Sequence, residues 1–390
     1  MAARGGKWLV LSLIWLMMLV AYFDRVNIAV AGPTISAALG LGKDQFGWVL
    51  SAFTLGYALL QVPGGYLADR FGAKPLMVAA LLVWSFFTAA TGAVGSLGAL
   101  LAVRVLFGVG EGLENGGQFK LIGDHFSPAE RSRANAIFLS TLALGPAIGT
   151  PIAAWLLRER GWHELFYTFA GVGVVVASIL ALLLPKPTSQ TDTPKHSPPN
   201  LKQGQLWICA FTYMLFNGAF WGFISWIPSY LTEARHLSLK NLGFLGAVPY
   251  LCGFVAMLVV GHLASTSLFQ RRTLLLSICY VGAAIGLWVA LRSESVTGSI
   301  AGLSVAAAFL YASFGPFWAV AIDLAAPETR GGLTGFVNFL GQIGGFVAQI
   351  AIGALAKQTG SFGPGLAYMM VSLVLAAVAA TFIRPATQAA

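Results

Sequence analysis

The chain has 390 residues, of which 57% are hydrophobic and only 9% charged, with 46 glycines and a formal net charge of +9. A soluble domain carries about 25% charged residues, so a mean hydropathy of +0.78 excludes a soluble enzyme, a disordered chain and a disulfide scaffold. The Lys and Arg are scattered singly through short loops, which excludes a nucleic-acid footprint as well.

What is left is a polytopic membrane protein. A membrane helix with its connection uses roughly 30 residues, so the length allows about twelve spans. The first apolar run, 8–39, resembles a signal peptide until Asp24-Arg25 interrupts it and the run resumes. It is therefore expected to stay in the chain. Asp24 and Arg25 point about 100° apart around that helix. Tyr22 and Arg25 share one face, and Asp24 and Asn27 share another. Arg25 is thus expected to look into a cavity, and Asp24 to pair with a basic group of span four.

Span two, 45–67, carries Tyr57 and Gln61 at helical spacing. It ends in Gly64-Gly65-Tyr-Leu67-Ala68-Asp69-Arg70-Phe-Gly72-Ala-Lys74. Gly72 allows a tight turn, and Asp69 is placed to cap a helix or to meet a loop Arg such as Arg131. A contact of this kind can latch and release, as a gate requires. Gly65, Asp69, Arg70, Gly72, Lys74 and Arg131 form this candidate gate.

Spans three and four cover 75–95 and 98–121. Arg104, Gly108, Glu111, Asn115 and Gln118 step by four, three, four and three, one polar stripe along a helix. Arg104 and Glu111 lie two turns apart, roughly 10 Å, too far for a direct pair. Charged groups in hydrocarbon are costly and mark function. An anion-binding Arg beside a carboxylate that takes protons is one reading, and an ion-pair network holding helices together is the other. Glu114 is a further acid of this span. Gly110, Gly112, Gly116 and Gly117 leave room for close helix approach or a ligand.

Spans five and six are expected at 131–157 and 164–184. A polar, Pro-rich stretch from Pro185 to Pro199 then reads as a solvated linker. The expected organisation is therefore an N-terminal bundle at 1–184, a cytoplasmic linker at 185–204 and a C-terminal bundle at 205–390. The second six spans fall at 206–232, 240–264, 273–291, 297–322, 331–356 and 364–383. They hold no mid-span charge, because Asp323 lies near an end. Their neutral polar and aromatic groups are Tyr213, Asn217 and Trp221 in span seven, Trp318 in span ten, and Asn338 and Gln342 in span eleven. With Gln61 and Asn115 they complete a possible pocket. Cys209, Cys252 and Cys279 read as buried small hydrophobes, and no Cys/His cluster has metal-ligand spacing. With neither a metal cluster nor a nucleophile, an enzyme is not expected, and a proton is the only coupling species called for.

The halves echo one another. Gly65-Tyr-Leu67-Ala68 answers Gly261-His-Leu263-Ala264. Asp124-x-x-x-Pro128-Ala-Glu130-Arg131 answers Asp323-x-x-x-Pro327-Glu328-Thr-Arg330, and Gly145 and Gly149 answer Gly341 and Gly345. Parallel repeats around a midplane site suit alternating access. Loop Lys and Arg favour the N-terminal side by about two to one, placing both termini in the cytoplasm.

The motif after span two resembles the major facilitator superfamily over essentially the whole chain. Tyr22-Phe-Asp24-Arg25-Val-Asn27, Ser51-Ala-Phe-Thr-Leu-Gly-Tyr57 and Arg104-x6-Glu111 resemble its anion:cation symporter branch, which includes galactonate, hexuronate and sialic acid carriers. The resemblance implies an all-α protein of twelve transmembrane helices in two pseudo-symmetric six-helix bundles. It further implies a monomer in a bacterial-type inner membrane, taking up a small organic anion (a carboxylate or sugar acid) with protons and without a cofactor. Carried over by position, Asp24 and Glu111 would be protonation sites, Arg25 would bind the substrate carboxylate and Arg104 would serve coupling. Tyr22 and Tyr57 would line the pocket, with Trp318 and Asn338 as contacts from the second bundle. Leu142 stands where the sugar-acid carriers have a Gln, and Gly315 and Phe317 fall on hydroxyl-bearing positions. A smaller or more apolar carboxylate is therefore expected. Gly145-Pro146-x-x-Gly149 partly resembles a drug/proton antiporter motif, and export by antiport is the rival reading.

Overall fold

The computed structural model describes residues 4–185, 203–265, 271–324 and 330–384. In chain order the first half holds α1 (Arg4–Leu39), α2 (Lys43–Phe71), α3 (Ala73–Thr91), α4 (Leu97–Gly112), α5 (Asn115–His125), α6 (Pro128–Leu139) and α7 (Thr141–Leu183). The second half holds α8 (Gly204–Ser229), α9 (Leu239–Leu245), α10 (Val248–Ser265), α11 (Arg272–Arg292), α12 (Val296–Ala312), α13 (Phe314–Asp323), α14 (Arg330–Thr359) and α15 (Gly363–Thr381). A single π-helical turn, Tyr230–Ala234, follows α8. No strand occurs among the described residues. Helices satisfy every backbone donor within the segment, which hydrocarbon demands.

The twelve expected spans map onto these helices. Nine stretches among the described residues are long and apolar enough to cross a membrane, and one of them, Arg133–Leu183, contains two expected spans. Lipid-facing side chains are apolar and bare: Leu182 is 80% and Phe86 66% exposed, while Trp84 and Phe107 are wholly buried. The described residues thus form an all-α fold, as expected.

One expectation needs correction. Span four is not one helix: α4 stops at Gly112 and α5 starts at Asn115, so the polar stripe is broken at Leu113 and Glu114. The cause is local, since a run with four glycines between 110 and 117 has weak helix propensity. Spans five and six are separated as expected. The chain passes from one to the other at Gly161, whose φ of 82° lies in the left-handed region. Only glycine enters that region without a steric penalty. Gly72, at φ 87°, makes the tight turn between α2 and α3 as expected.

Caps stop the other helices where the sequence offers them. Ser96 accepts from the Ala99 N–H, Ser238 from Asn241 and Ser295 from Gly298. Ser127 and Glu130 form a reciprocal capping box at α6, which satisfies two otherwise orphan groups. Lys7 also donates to Glu130, at 2.5 Å, and that bond, with the cap, holds the Glu130 carboxyl below its usual range.

The described chain forms two compact units. One comprises 1–41 and 52–193, the other 42–51 and 194–390. The expected linker, 185–204, lies mostly outside the described residues. Within the first unit, α2 and α4 meet backbone to backbone. A Cβ at Gly108 would stand 2.2 Å from the Phe53 carbonyl oxygen, and one at Gly56 2.1 Å from that of Val105. Gly110 fits against Trp84 and Gly117 against Met77, so these glycines serve helix approach. Gly108→Ala is expected to force the two backbones apart at a cost of about 1–3 kcal/mol. A lowered melting temperature in detergent checks this.

The repeat is visible in packing. Gly145 lies under Tyr22 and Gly149 under Phe23 in the first unit, just as Gly341 lies under Tyr213 and Gly345 under Trp221 in the second. The glycines that resemble an antiporter motif are therefore the seats of span-one side chains.

Candidate functional site

Helix α1 carries Tyr22, Asp24, Arg25 and Asn27 at mid-length, among the most apolar residues of the first unit. Arg25 donates from Nε to Glu111 Oε1 at 2.6 Å, and its Nη2 rests against the same oxygen. Neither side chain reaches solvent to any extent, at 4% and 0% exposure. The guanidinium is also boxed by aromatic faces, 4.6 Å from the Tyr22 centroid, 5.0 Å from Tyr57 and 5.6 Å from Phe53. Desolvated contacts of this kind reach about 2 kcal/mol each.

The sequence placed Arg25 and Glu111 in one bundle but did not pair them. The periodicity of a helix gives a face, not the neighbour that the face meets. Asp24, in contrast, does not pair with span four. Its Oδ1 accepts from Asn27 Nδ2 at 3.1 Å within α1, and Oδ2 has no hydrogen-bond partner among the described residues. Arg104 acts on Asp24 only through its charge, and no ion pair joins them among the described residues. Its guanidinium lies over the rings of Phe107, at 4.6 Å, and Phe53, at 5.2 Å, with Nε unpartnered. Phe53 is thus shared by both arginines. Sequence reading missed it, although its i, i+4 spacing to Tyr57 was the available signal.

Asp24, Arg104 and Glu111 are 1%, 2% and 0% exposed. With Arg25 and Glu114, five charge-bearing groups are thus sunk in the first unit, and among the described residues only Arg25 and Glu111 are bonded to each other. Breaking a buried pair by removing one member typically costs about 3–5 kcal/mol. An incoming carboxylate can replace Glu111 on Arg25 at little cost if Glu111 is neutralised at the same time. Chemically, the site can exchange one internal anion for an external one when a proton arrives.

Other predicted residues fall around this centre or away from it. Tyr22 and Tyr57 are buried in it, and Gln61 is half-buried on α2. The Asn115 side chain lies outside the described residues. Of the gate, Gly65 and the Asp69 side chain also lie outside them. Arg131 donates to the carbonyls of Phe126 and Gly123, at 3.1 and 2.8 Å, closing the end of α5. Lys74 donates to the Leu184 carbonyl at 2.5 Å, and Arg70 is exposed over the Phe71 ring. The corresponding place in the second unit shows an ion pair that the sequence did not suggest. Arg272, at the start of α11, bonds Asp323 at 2.9 Å and the Ala264 carbonyl at 3.1 Å.

The second unit assembles the neutral set. Tyr213 stacks on Phe317 at 4.6 Å and meets Trp318 edge-on at 5.1 Å. Asn338 and Gln342 bond along α14 at 3.5 Å. The Asn217 Nδ2, facing Gly341, is buried without a hydrogen-bond partner among the described residues, and Trp221 lies against Gly345. Gln349, not singled out from sequence, donates to Ser225 at 2.8 Å while its carbonyl accepts from Trp226.

Comparison with known proteins finds a family and relatives along most of the chain. The profile described as Major Facilitator Superfamily matches residues 14–349. The "Hexuronate transporter" of Bacillus subtilis (strain 168) is 27% identical, with 96% of this chain and 94% of that protein covered. The "Probable galactarate/D-glucarate transporter GudP" of Escherichia coli (strain K12) is 30% identical over 95% and 92%. The "Probable sulfoacetate transporter SauU" of Cupriavidus necator is 29% identical over 97% and 94%. A bacterial homologue of the human lysosomal transporter Spinster, solved inward-facing and unoccupied, superposes with a TM-score of 0.78 at 19% identity. It covers 98% of this chain and 97% of its own, a likeness of fold.

Proposed function

Because the chain belongs to the Major Facilitator Superfamily, we propose that it takes up a small organic anion together with protons by alternating access. Membership makes it a multi-pass membrane transporter rather than an enzyme. The names of its relatives, carriers of hexuronate, galactarate, glucarate and sulfoacetate, support an organic anion as cargo. The proposed setting is a bacterial inner membrane, with both termini cytoplasmic and the protein a monomer.

The observation that carries this reading is the buried Arg25–Glu111 pair. In the empty carrier, Glu111 is the internal anion of Arg25. When the substrate carboxylate takes Arg25, a proton moves onto Glu111, and the total buried charge is unchanged: one anion and one proton have entered together. Without the proton, two carboxylates would compete for one guanidinium out of reach of water, which is costly. Asp24, bonded to Asn27 and with Thr88 and the Arg104 charge nearby, is the second protonation site. Tyr22 and Tyr57, with Gln61 and Asn115, are the substrate groups proposed for the first unit, and Trp318 and Asn338, with Asn217, Trp221 and Gln342, are those proposed for the second.

The apolar Leu142 and the Tyr213–Phe317 stack favour a less hydroxylated guest. Melting temperature is to be measured against D-glucuronate, D-glucarate, D-galactonate and sulfoacetate, since a ligand bound only by the folded state raises it. Sulfoacetate is expected to give the largest shift. Uptake of the best binder into proteoliposomes should then follow an inward proton gradient. Uptake indifferent to that gradient overturns the reading. Raised resistance to toxic compounds without uptake of any acid favours the export reading instead, although Gly145 and Gly149 are already accounted for by packing.

A further inference from the structure

Glu114 is a buried acid that the exchange at Arg25 does not use. It stands in the break between α4 and α5, and its backbone N–H still reaches the Glu111 carbonyl at 3.3 Å. It is 0% exposed, and neither carboxyl oxygen has a hydrogen-bond partner among the described residues. One turn further on, Gln118 is also 0% exposed, with both its amide oxygen and its amide nitrogen unpartnered. Residues three or four apart on a helix are neighbours on one face. Although α4 and α5 are separate helices, Leu113 and Glu114 keep αR dihedrals, at φ −70° and −76°, so Glu111, Glu114 and Gln118 still make a polar file that runs from the Arg25 pair toward the α5 end, where Asp124 and His125 stand.

The surroundings give Glu114 no structural job. The charged and titratable groups that act on it are Glu111 on its own span and Arg25 and Tyr22 on α1. Arg25 is already bonded to Glu111. The α3 side offers Met77 against Gly117, and Lys74 there is turned to the Leu184 carbonyl. Native buried polar groups are almost always bonded, and exceptions mark bound water or a function. Two of them one turn apart are the polar partners that a bridging water takes.

Resting on the proton-coupled reading above, we propose that Glu114 is the relay through which Glu111 exchanges its proton with the α5 end of span four. Once the anion has left, the Glu111 carboxyl gives its O–H proton to the Glu114 carboxylate and takes Arg25 back, and Glu114 passes the proton to water at Gln118, from which hydronium reaches the cytoplasmic α5 end. The reverse order loads Glu111 from that end. Atoms and charge balance at each step, and no other reactant is needed.

The test uses the full chain in proteoliposomes with D-glucuronate and sulfoacetate as probes. Glu114→Gln keeps the shape of a protonated acid but cannot release the proton. It should slow uptake driven by a proton gradient at least about tenfold while substrate counterflow, which moves no net proton, continues. Glu114→Asp restores a carboxyl and should recover part of the driven uptake. Wild-type driven uptake in Glu114→Gln overturns the relay, as does equal loss of driven uptake and counterflow in a variant of unchanged melting temperature. If Glu114→Gln does not fold, Gln118→Leu replaces it and should show the same split. Wild-type uptake that ignores the gradient fails the underlying reading instead, without reference to any Glu114 variant.

Discussion

Arg25→Ala is expected to abolish anion binding. The guanidinium is enclosed by Tyr22, Phe53 and Tyr57 and bonded to Glu111, so nothing beside it can take its place. Truncating one partner of a buried charged pair costs about 2–5 kcal/mol, and each 1.4 kcal/mol is about tenfold in affinity. Titration calorimetry should therefore show affinity reduced by about 30-fold or more, beyond detection for a weak ligand. Arg25→Lys keeps the charge but loses the planar fork that carboxylates match, and should recover only part of the affinity. The melting temperature should fall in the Ala variant, because Glu111 is left alone at 0% exposure.

Glu111→Gln should abolish accumulation against a concentration difference while leaving exchange across the membrane. The amide imitates the protonated acid, so Arg25 is permanently available to the anion and no proton is carried with it. Uptake of labelled anion should stop at equal concentrations inside and out, whatever proton gradient is imposed. The carrier would then be a facilitator, with coupling lost and the path intact.

Much of this fold is legible in the residues because a bilayer leaves few choices. Runs of apolar residues long enough to cross it must be helical, and twelve of them with a polar Pro-rich interval after the sixth give the two halves. The paired motifs at Gly145/Gly149 and Gly341/Gly345 foretell packing that repeats. What stays hidden is which helix each face meets. Asp24 looks like the natural partner of a span-four base, yet Arg104 rests on two phenylalanine rings and Asp24 turns to Asn27. The Arg25–Glu111 pair spans two helices far apart in the chain, and no local pattern encodes it. The break at Leu113 and Glu114 has a local signal, the crowd of glycines from 110 to 117, but helical spacing alone reads through it. The Arg272–Asp323 pair is hidden for another reason. Its members lie at span ends, where charges are ordinary and draw no attention.

Affinity as a function of pH, compared between the wild type and Glu111→Gln by calorimetry in detergent, tests the protonation of Glu111 most directly. If anion binding requires one proton on this carboxyl, wild-type affinity should weaken by up to about tenfold per pH unit on the alkaline side. In Glu111→Gln the dependence should flatten. A variant that keeps the full wild-type slope would place the coupling proton somewhere other than Glu111.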